Sequence, residues 1–135
     1  MPIITWDESL SVGVAELDNQ HKKLIDIINT LHDAMAKGQG GVVLNKTFSA
    51  LVQYTRQHFT TEERYFERFK YPASTSHRAE HEDLTVQVLD LKERFESGRT
   101  MLSIQTMNFL KDWLQNHIRK SDKQYGPFFN ECGLK

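Results

Sequence analysis

The chain has a single cysteine, Cys132, among its 135 residues, so no disulfide can form within it. A lone thiol is typical of proteins in a reducing compartment, which favours a cytoplasmic location. Residues 1–7 have neither the basic region nor the long apolar run of a signal peptide. All apolar runs are short and interrupted, so we expect no membrane-spanning segment.

Neither sign of charge is in excess, since the chain has 17 basic and 18 acidic residues and a formal net charge of −1. No basic stripe is present, which argues against a nucleic-acid partner. The length predicts one domain, residues 1–135.

Apolar residues recur every three or four positions in four long stretches, which predicts four amphipathic helices. We expect these helices at about residues 18–37, 43–70, 75–97 and 103–121. The intervening loops are short, so neighbouring helices must run in opposite directions. The prediction is an all-α fold, an antiparallel up-down-up-down four-helix bundle with an extended N-terminal arm.

The ends of these helices follow from capping and helix-breaking residues. Asp18 and Ser103 are expected N-caps of the first and fourth helices. Residues 1–17 are rich in β-prone and aromatic residues but have no partner strand, so they form the predicted arm packed along the bundle. Gly126-Pro127 is expected to close the fourth helix, leaving residues 122–135 as a C-terminal tail.

Polar residues with metal-binding side chains concentrate at one end of this predicted bundle. Within each of the pairs His58/Glu62 and His77/His81 the residues are four positions apart, so each pair shares one helix face. The first and third helices begin at the end of the bundle where the second and fourth finish. At about 1.5 Å rise per residue, seven residues fall within one third of a bundle about 30 Å long: His21, His58, Glu62, His77, His81, His117 and Asp122.

Each of these residues alone has a simpler explanation. A buried histidine is usually a hydrogen-bonded core residue, Glu62 could pair with Arg64 or Arg68, and Asp122 could be solvated. Seven polar residues at one depth on apolar faces favour a metal site instead. His32 serves as an internal control, because it lies on nearly the same face as His21 but about 16 Å away along the helix axis.

The spacing of His117 and Asp122 poses a geometric problem. They are five residues apart, which places them about 140° apart around a regular helix. Both can face inward only if the helix widens between them. We therefore predict a π-turn or a loosened last turn near residues 118–121.

The ligand set also restricts the metal and its chemistry. Five imidazoles and two carboxylates are too many for one tetrahedral zinc but suit two six-coordinate ions, iron first and manganese second. Neutral imidazoles outnumber the anionic ligands, which disfavours the high oxidation states needed to break the O–O bond. The composition of the set therefore favours reversible dioxygen binding over oxygenation.

Motifs spread over nearly the whole chain carry a resemblance to a known family: Trp6, Leu10-Ser11-Val12-Gly13-Val14, Asp18-x-Gln20-His21, His58-x-x-x-Glu62, His77-x-x-x-His81 and Trp113-Leu114-x-x-His117-Ile118-x-x-x-Asp122-x-x-Tyr125. In this combination the sequence resembles the hemerythrins, most closely the single-domain bacterial ones. The resemblance implies a non-haem di-iron centre that binds dioxygen.

The same resemblance implies a role for each site residue. One iron would be bound by His77, His81 and His117, and the other by His21 and His58. The two irons would be bridged by Glu62, Asp122 and an oxo or hydroxo group. Tyr125 would lie beside these carboxylates, and an apolar oxygen pocket would be lined by Leu24, Phe59, Trp113, Leu114 and Ile118. Simple packing is the alternative for these six residues.

The function expected from these features is intracellular transport, storage or delivery of dioxygen rather than catalysis, although a weak peroxidase-type side activity stays open. An oxygen-consuming enzyme is a candidate recipient of the oxygen. Two alternatives stay open. One is a di-iron redox enzyme that acts as a peroxidase or handles nitric oxide, and the other is a module that senses oxygen or iron.

Overall fold

The structure, a computed structural model, describes residues 2–98 and 103–135, and these residues contain helices but no strand. The five α-helices are α1 (Ala15–Ala36), α2 (Gly41–Phe69), α3 (Ser74–Glu96), α4 (Ile104–His117) and α5 (Lys123–Glu131). A π-turn, Ile118–Asp122, joins α4 and α5 into one long fourth helix. The predicted up-down-up-down bundle is confirmed. Of the predicted single domain, residue 1 and residues 99–102 lie outside the described residues.

The first helix begins at Ala15, three residues earlier than predicted, because Asp18 does not cap it. The Asp18 carboxylate instead accepts hydrogen bonds from the Val12 N–H at 2.8 Å and the Ser11 hydroxyl at 2.6 Å. It therefore closes the turn that precedes the helix. As an acidic residue in the first turn, it also faces the positive end of the helix dipole.

The N-terminal arm packs along the bundle, as predicted, but contains a short 3-10 turn, Glu8–Leu10. Its start is held by Asn29, which accepts hydrogen bonds from two backbone N–H groups of the arm at 3.0 Å and donates one to the Ile4 carbonyl at 2.9 Å. Its end passes so close to α5 that a Cβ atom at Gly126 would lie 2.2 Å from the Val12 carbonyl oxygen. Only glycine permits this approach.

The predicted C-terminal tail, residues 122–135, is wrong over most of its length, because Gly126-Pro127 does not end the helix. Pro127 lies inside α5, which continues to Glu131. A proline inside a helix costs roughly 3 kcal/mol. Continuing the helix buries Tyr125 and Phe129 completely, and full burial of one such side chain stabilises the fold by about 1.5–3 kcal/mol. The two burials together therefore offset the free-energy cost of the proline.

The second helix ends at Lys70, whose backbone adopts the left-handed conformation, rather than at Pro72. Lys70 adopts φ 56°, and the Tyr71 N–H donates to the Phe66 carbonyl at 2.9 Å. The rings of Phe66 and Tyr71 then meet, with centroids 5.1 Å apart. This combination is a Schellman motif with its hydrophobic contact, and it fixes Tyr71 against the core.

The core is apolar along most of the bundle and polar at one end. Leu17, Leu31, Phe48 and Met107 are completely buried in its apolar part. Within residues 2–98 and 103–135, the buried polar and charged residues are the seven singled out by the sequence. Among the described helices, none is long and apolar enough to cross a membrane.

Candidate metal centre

All four helices of the bundle contribute polar side chains to one buried cluster. None of the seven side chains is more than 5% exposed. They come from the N-terminal parts of α1 and α3, the second half of α2, the last residue of α4 and the end of the π-turn. The structure therefore brings together every residue that the sequence assigned to the metal site: His21, His58, Glu62, His77, His81, His117 and Asp122.

The seven side chains form two overlapping groups, each with its potential ligand atoms within 4.8 Å of one another. The larger group combines three histidines, His77, His81 and His117, with the two carboxylates Glu62 and Asp122. The smaller group combines His21 and His58 with the same two carboxylates. Both carboxylates therefore belong to both groups, while each group has its own set of imidazoles.

Ligand atoms in the cluster are close together but poorly paired by hydrogen bonds. His77 Nε2 lies 2.8 Å from Asp122 Oδ1, and His21 Nε2 lies 3.0 Å from Asp122 Oδ2. Even so, within the described residues His21 Nε2, His81 Nε2, Glu62 Oε1 and both Asp122 oxygens have no hydrogen-bond partner. Buried polar atoms rarely lack partners. Lone pairs aimed at a shared cation explain both the closeness and the missing hydrogen bonds, so these residues fit a metal site.

The electrostatics of the cluster keep both carboxylates ionised. Burial alone would raise the pKa of Glu62, but the neighbouring imidazoles, His58 first, hold it well below its ordinary value. Burial and Glu62 would likewise raise the pKa of Asp122, yet His117 and His21 lower it. Burial would lower the pKa of His21, but the adjacent Asp122 and Glu62 carboxylates raise it to about 9. The site thus supplies two anionic ligands at neutral pH.

Three of the imidazoles are oriented by acceptors behind them, which the sequence interpretation did not assign. His81 Nδ1–H donates to Glu63 at 2.9 Å, and His117 Nδ1–H donates to Glu80 at 3.1 Å. His58 Nδ1–H donates to the Gln20 side-chain oxygen at 2.6 Å. These bonds leave Nε2 of each ring free to face the cluster.

A sequence signal for these partners existed. Gln20, Glu63 and Glu80 are each next in sequence to a predicted ligand, His21, Glu62 and His81 respectively. Ligand histidines almost always donate their second nitrogen to an acceptor. Searching the flanking positions for acidic or amide side chains would have found all three.

Tyr125 lies behind the shared carboxylate of Glu62. It is completely buried, and its hydroxyl donates a hydrogen bond to Glu62 Oε2. Burial and the Glu62 charge raise the pKa of Tyr125 well above its ordinary value, so the phenol stays neutral and remains a donor. The hydrogen bond fixes the orientation of the carboxylate.

The widened turn predicted between His117 and Asp122 is confirmed. The π-turn covers Ile118–Asp122, and it brings His117 Nε2 to 3.0 Å from Asp122 Oδ1. His32, the internal control, belongs to neither ligand group and is only half-buried.

A narrow apolar cavity of about 30 Å³ lies in the bundle next to the cluster. Leu24, Phe59, Trp113 and Leu114, four of the five predicted pocket residues, line it. Ile118 is completely buried but does not line the cavity, because its segment packs against the 3-10 turn of the arm. The remaining lining residues are Ile28, Leu51, Thr55, Leu84, Val88 and Leu110.

Two aromatic walls of this cavity rest directly on imidazoles of the cluster. Phe59 is stacked on His81, with ring centroids 3.8 Å apart and planes 5° apart. Trp113 is stacked on His117, with centroids 4.4 Å apart and planes 16° apart. A small apolar molecule in the cavity would therefore be beside the cluster and shielded from water.

Comparison with known proteins agrees with this geometry. The family model of the hemerythrin HHE cation binding domain matches residues 12–129. The chain belongs to the hemerythrin family. A bacteriohemerythrin of Methylococcus capsulatus is 37% identical over 94% of this chain and 97% of its own length. The hemerythrin-like protein of Naegleria gruberi is 34% identical over 89% of this chain and 88% of its own length.

Solved hemerythrin structures have the same fold. A wild-type hemerythrin crystal structure superposes with a TM-score of 0.89 at 36% identity, covering 93% of this chain and 96% of that chain. A leucine-to-alanine variant superposes with a TM-score of 0.90 at the same identity, covering 94% of this chain and 97% of its own. The hemerythrin fold and the buried cluster of histidines and carboxylates are thus established together for this chain.

Proposed function

We propose that this member of the hemerythrin family binds dioxygen reversibly at a non-haem di-iron centre and carries, stores or delivers it inside the cell. The observation that carries the proposal is the pair of overlapping ligand groups, which share Glu62 and Asp122. A mononuclear site would need only one such group. Mixed imidazole and carboxylate ligands suit iron.

Each residue of the cluster then has a definite role. His77, His81 and His117 would hold one iron, His21 and His58 would hold the other, and the Glu62 and Asp122 carboxylates would be shared by both. When bound, the irons would supply two electrons and a coordination position for dioxygen. The smaller histidine set would leave that position on the His21/His58 side.

The chain around the ligands favours reversibility over further reaction. Apolar walls formed by Leu24, Phe59 and Leu114 exclude water and stray protons from the cavity. Five neutral imidazoles against two carboxylates disfavour higher oxidation states. The acceptors Glu63 and Glu80 hold their imidazoles in place, so dioxygen can bind and leave without rearrangement of the ligands.

The deciding experiment is an optical spectrum. The protein is loaded with ferrous iron without oxygen, exposed to air and then deoxygenated. We expect a colourless protein that gains a visible absorption band with oxygen and loses it when oxygen is removed. Permanent oxidation without a recoverable oxygenated form would reject the carrier and favour a redox enzyme or a sensor.

The recipient of the oxygen is the remaining part of the proposal. An oxygen-consuming enzyme in the cytoplasm fits a small carrier with nearly balanced charge. The measurement is the steady-state rate of such an enzyme at limiting dioxygen, with and without the oxygenated protein. A matched addition of His117→Ala protein controls for effects unrelated to oxygen binding.

A further inference from the structure

A long surface groove runs between α2 and α3 and ends beside the metal centre. Its first half, with a volume of about 720 Å³, follows α2 from Ser49 to Arg64. Its second half, about 560 Å³, continues from Arg56, which lines both halves, to Phe59 and His81. At about 1.5 Å rise per residue, the first half alone is about 22 Å long. The α2–α3 groove therefore suits a protein surface better than a single small ion.

The charge of the α2–α3 groove is opposite in sign to that of the whole chain. Four cationic side chains and two carboxylates line it, whereas the chain has a formal net charge of −1. Within residues 2–98 and 103–135, Arg56 and Arg64 have no ion pair. The Glu63 carboxylate, by contrast, is already held by His81 and Arg78. The full set is Arg56, Arg64, Arg78 and Lys92 with Glu63 and Glu82.

Exposed apolar side chains lie between these charges. Val86 is 61% exposed and Leu89 is 39% exposed, and their spacing of three residues places them on one face of α3. Of the large exposed apolar residues that the structure describes, the other three lie at the opposite end of the bundle, where α2 and α4 begin. An apolar patch with arginines at its rim has the composition of a protein–protein interface.

The α2–α3 groove ends on an aromatic wall of the metal centre. Phe59 and His81 line the groove, and Phe59 also lines the apolar cavity on the inner side. Their rings are stacked with centroids 3.8 Å apart, which is van der Waals contact and leaves no passage for dioxygen. His81 is a proposed iron ligand and is 2% exposed, so one imidazole separates the groove from the iron. An electron can cross a single ring where a gas molecule cannot pass.

We propose that the α2–α3 groove docks an acidic one-electron carrier protein, which returns ferric irons of the centre to the ferrous state. This inference rests on the di-iron centre of the proposed function and identifies a partner for it. The unpaired arginines complement a negatively charged partner, and the wall of Phe59 and His81 favours electron delivery over oxygen delivery at this surface.

The electrons of this step balance without a further reactant. Each encounter oxidises one carrier by one electron and reduces one iron from ferric to ferrous, so two encounters restore both irons. An oxygen carrier needs such a supply, because dioxygen binding draws its electrons from ferrous iron and autoxidation leaves the ferric form.

Binding is tested first, with the iron-free protein and oxidised flavodoxin, a small acidic protein whose flavin carries single electrons. Amide chemical shifts of the nitrogen-15-labelled chain are followed by nuclear magnetic resonance during the titration. We expect shifts along α2 and α3 around Arg56 and Leu89, and affinity that falls as salt is added. Replacing Val86 by serine should weaken the binding, whereas Val42→Ser, at the opposite end of the bundle, should leave it unchanged.

Charge reversal gives the sharper comparison. The double variant Arg56→Glu/Arg64→Glu should bind flavodoxin at least about tenfold more weakly, because it sets like charges against each other. Lys37→Glu/Lys46→Glu is the matched control, since it changes the net charge equally at exposed positions that do not line the groove. It should bind like the unmodified protein.

Electron delivery is then measured with the ferric, iron-loaded protein mixed with reduced flavodoxin in the absence of oxygen. Loss of the ferric absorption should be at least about tenfold slower in the arginine double variant at low ionic strength, and the difference should shrink as salt is added. The lysine double variant should react like the unmodified protein. Reduced lumiflavin, a small flavin without a protein surface, should reduce all three at nearly the same rate.

Reversible oxygenation is measured in every variant, so that the two proposals are separated. A protein that oxygenates reversibly but does not bind flavodoxin, or binds it outside the α2–α3 groove, overturns the docking proposal and leaves the carrier intact. Equal rates in the two double variants also overturn it, as does self-association of the chain through the groove in place of flavodoxin binding. Groove binding with arginine-dependent reduction, in a protein that does not oxygenate reversibly, supports the docking surface and rejects the carrier.

Discussion

His117 and Asp122 lie five residues apart on one continuous helix, yet His117 Nε2 is 3.0 Å from Asp122 Oδ1. In a regular α-helix the second side chain would point about 140° away from the first. The π-turn Ile118–Asp122 takes up one extra residue and returns Asp122 to the interior. The inward position of the Asp122 carboxylate therefore depends on the local winding of the backbone as well as on residue type.

This dependence can be tested by changing the length of the π-turn at the exposed residue Lys120. Deleting Lys120 makes the spacing four residues, the α-helical repeat, so we expect Asp122 still to face inward and iron to bind. Inserting one alanine after Lys120 should turn Asp122 away by about 100° and abolish iron binding. The measurement is iron per chain after ferrous loading and desalting. Loss of iron on deletion but not on insertion would contradict this account.

The ligand assignment itself predicts which substitutions remove iron. His117→Ala and Glu62→Ala should lose iron, because each removes a ligand from the buried cluster and Glu62 is shared by both ligand groups. His32→Ala should retain it, because His32 belongs to neither group. Elemental analysis of the three purified variants is the measurement, and equal iron content in all three would refute the assignment.

How far the sequence predicts the site depends on the kind of feature. The seven clustered residues followed from helical periodicity and bundle topology, and the π-turn followed from the five-residue spacing of His117 and Asp122. Helix ends were less predictable, because tertiary contacts override local signals. Asp18 binds the arm instead of capping its helix, and burial of Phe129 carries α5 past Pro127. The pocket residues came from the family resemblance, and of these only Ile118 does not line the apolar cavity.

The acceptors behind the imidazoles should tune iron affinity without binding iron themselves. Glu63→Ala and Glu80→Ala leave all seven ligands in place but free the rings of His81 and His117 to rotate. We expect iron affinity to fall by about 10–100-fold in each variant. The measurement is competition for ferrous iron against a chelator of known affinity. Glu82→Ala, at an exposed position beside His81, is the matched control and should bind iron like the unmodified protein.

The apolar cavity should control the lifetime of the oxygenated protein. Leu114→Ala enlarges the cavity beside His117 and admits water, so we expect faster autoxidation and a loss of about 2–5 kcal/mol in the free energy of unfolding. Leu31→Ala is the matched control, because it truncates a completely buried leucine that does not line the cavity. It should lose similar stability with unchanged autoxidation. Decay of the visible band in air measures the first effect, and equal rates in both variants would count against a protective cavity.

The pH dependence of stability should differ between the iron-free and iron-loaded protein. In the iron-free protein the adjacent carboxylates outweigh burial and raise the pKa of two imidazoles to about 9 from the ordinary 6.5: Asp122 and Glu62 act on His21, and Glu62 and Glu63 act on His81. The folded state then binds these protons more tightly than the unfolded chain. The resulting stabilisation is complete below about pH 6.5 and is lost as the pH rises to about 9.

We therefore expect the free energy of unfolding of the iron-free protein, measured with urea, to fall between pH 6.5 and pH 9. The iron-loaded protein should lack this fall, because its imidazole nitrogens bind metal instead of protons and loading itself releases protons. His32→Ala, which leaves the cluster intact, should show the same two profiles. A flat profile for the iron-free protein would mean that the carboxylates do not hold protons on the imidazoles. The charge balance assigned to the cluster would then be wrong even if the ligands are right.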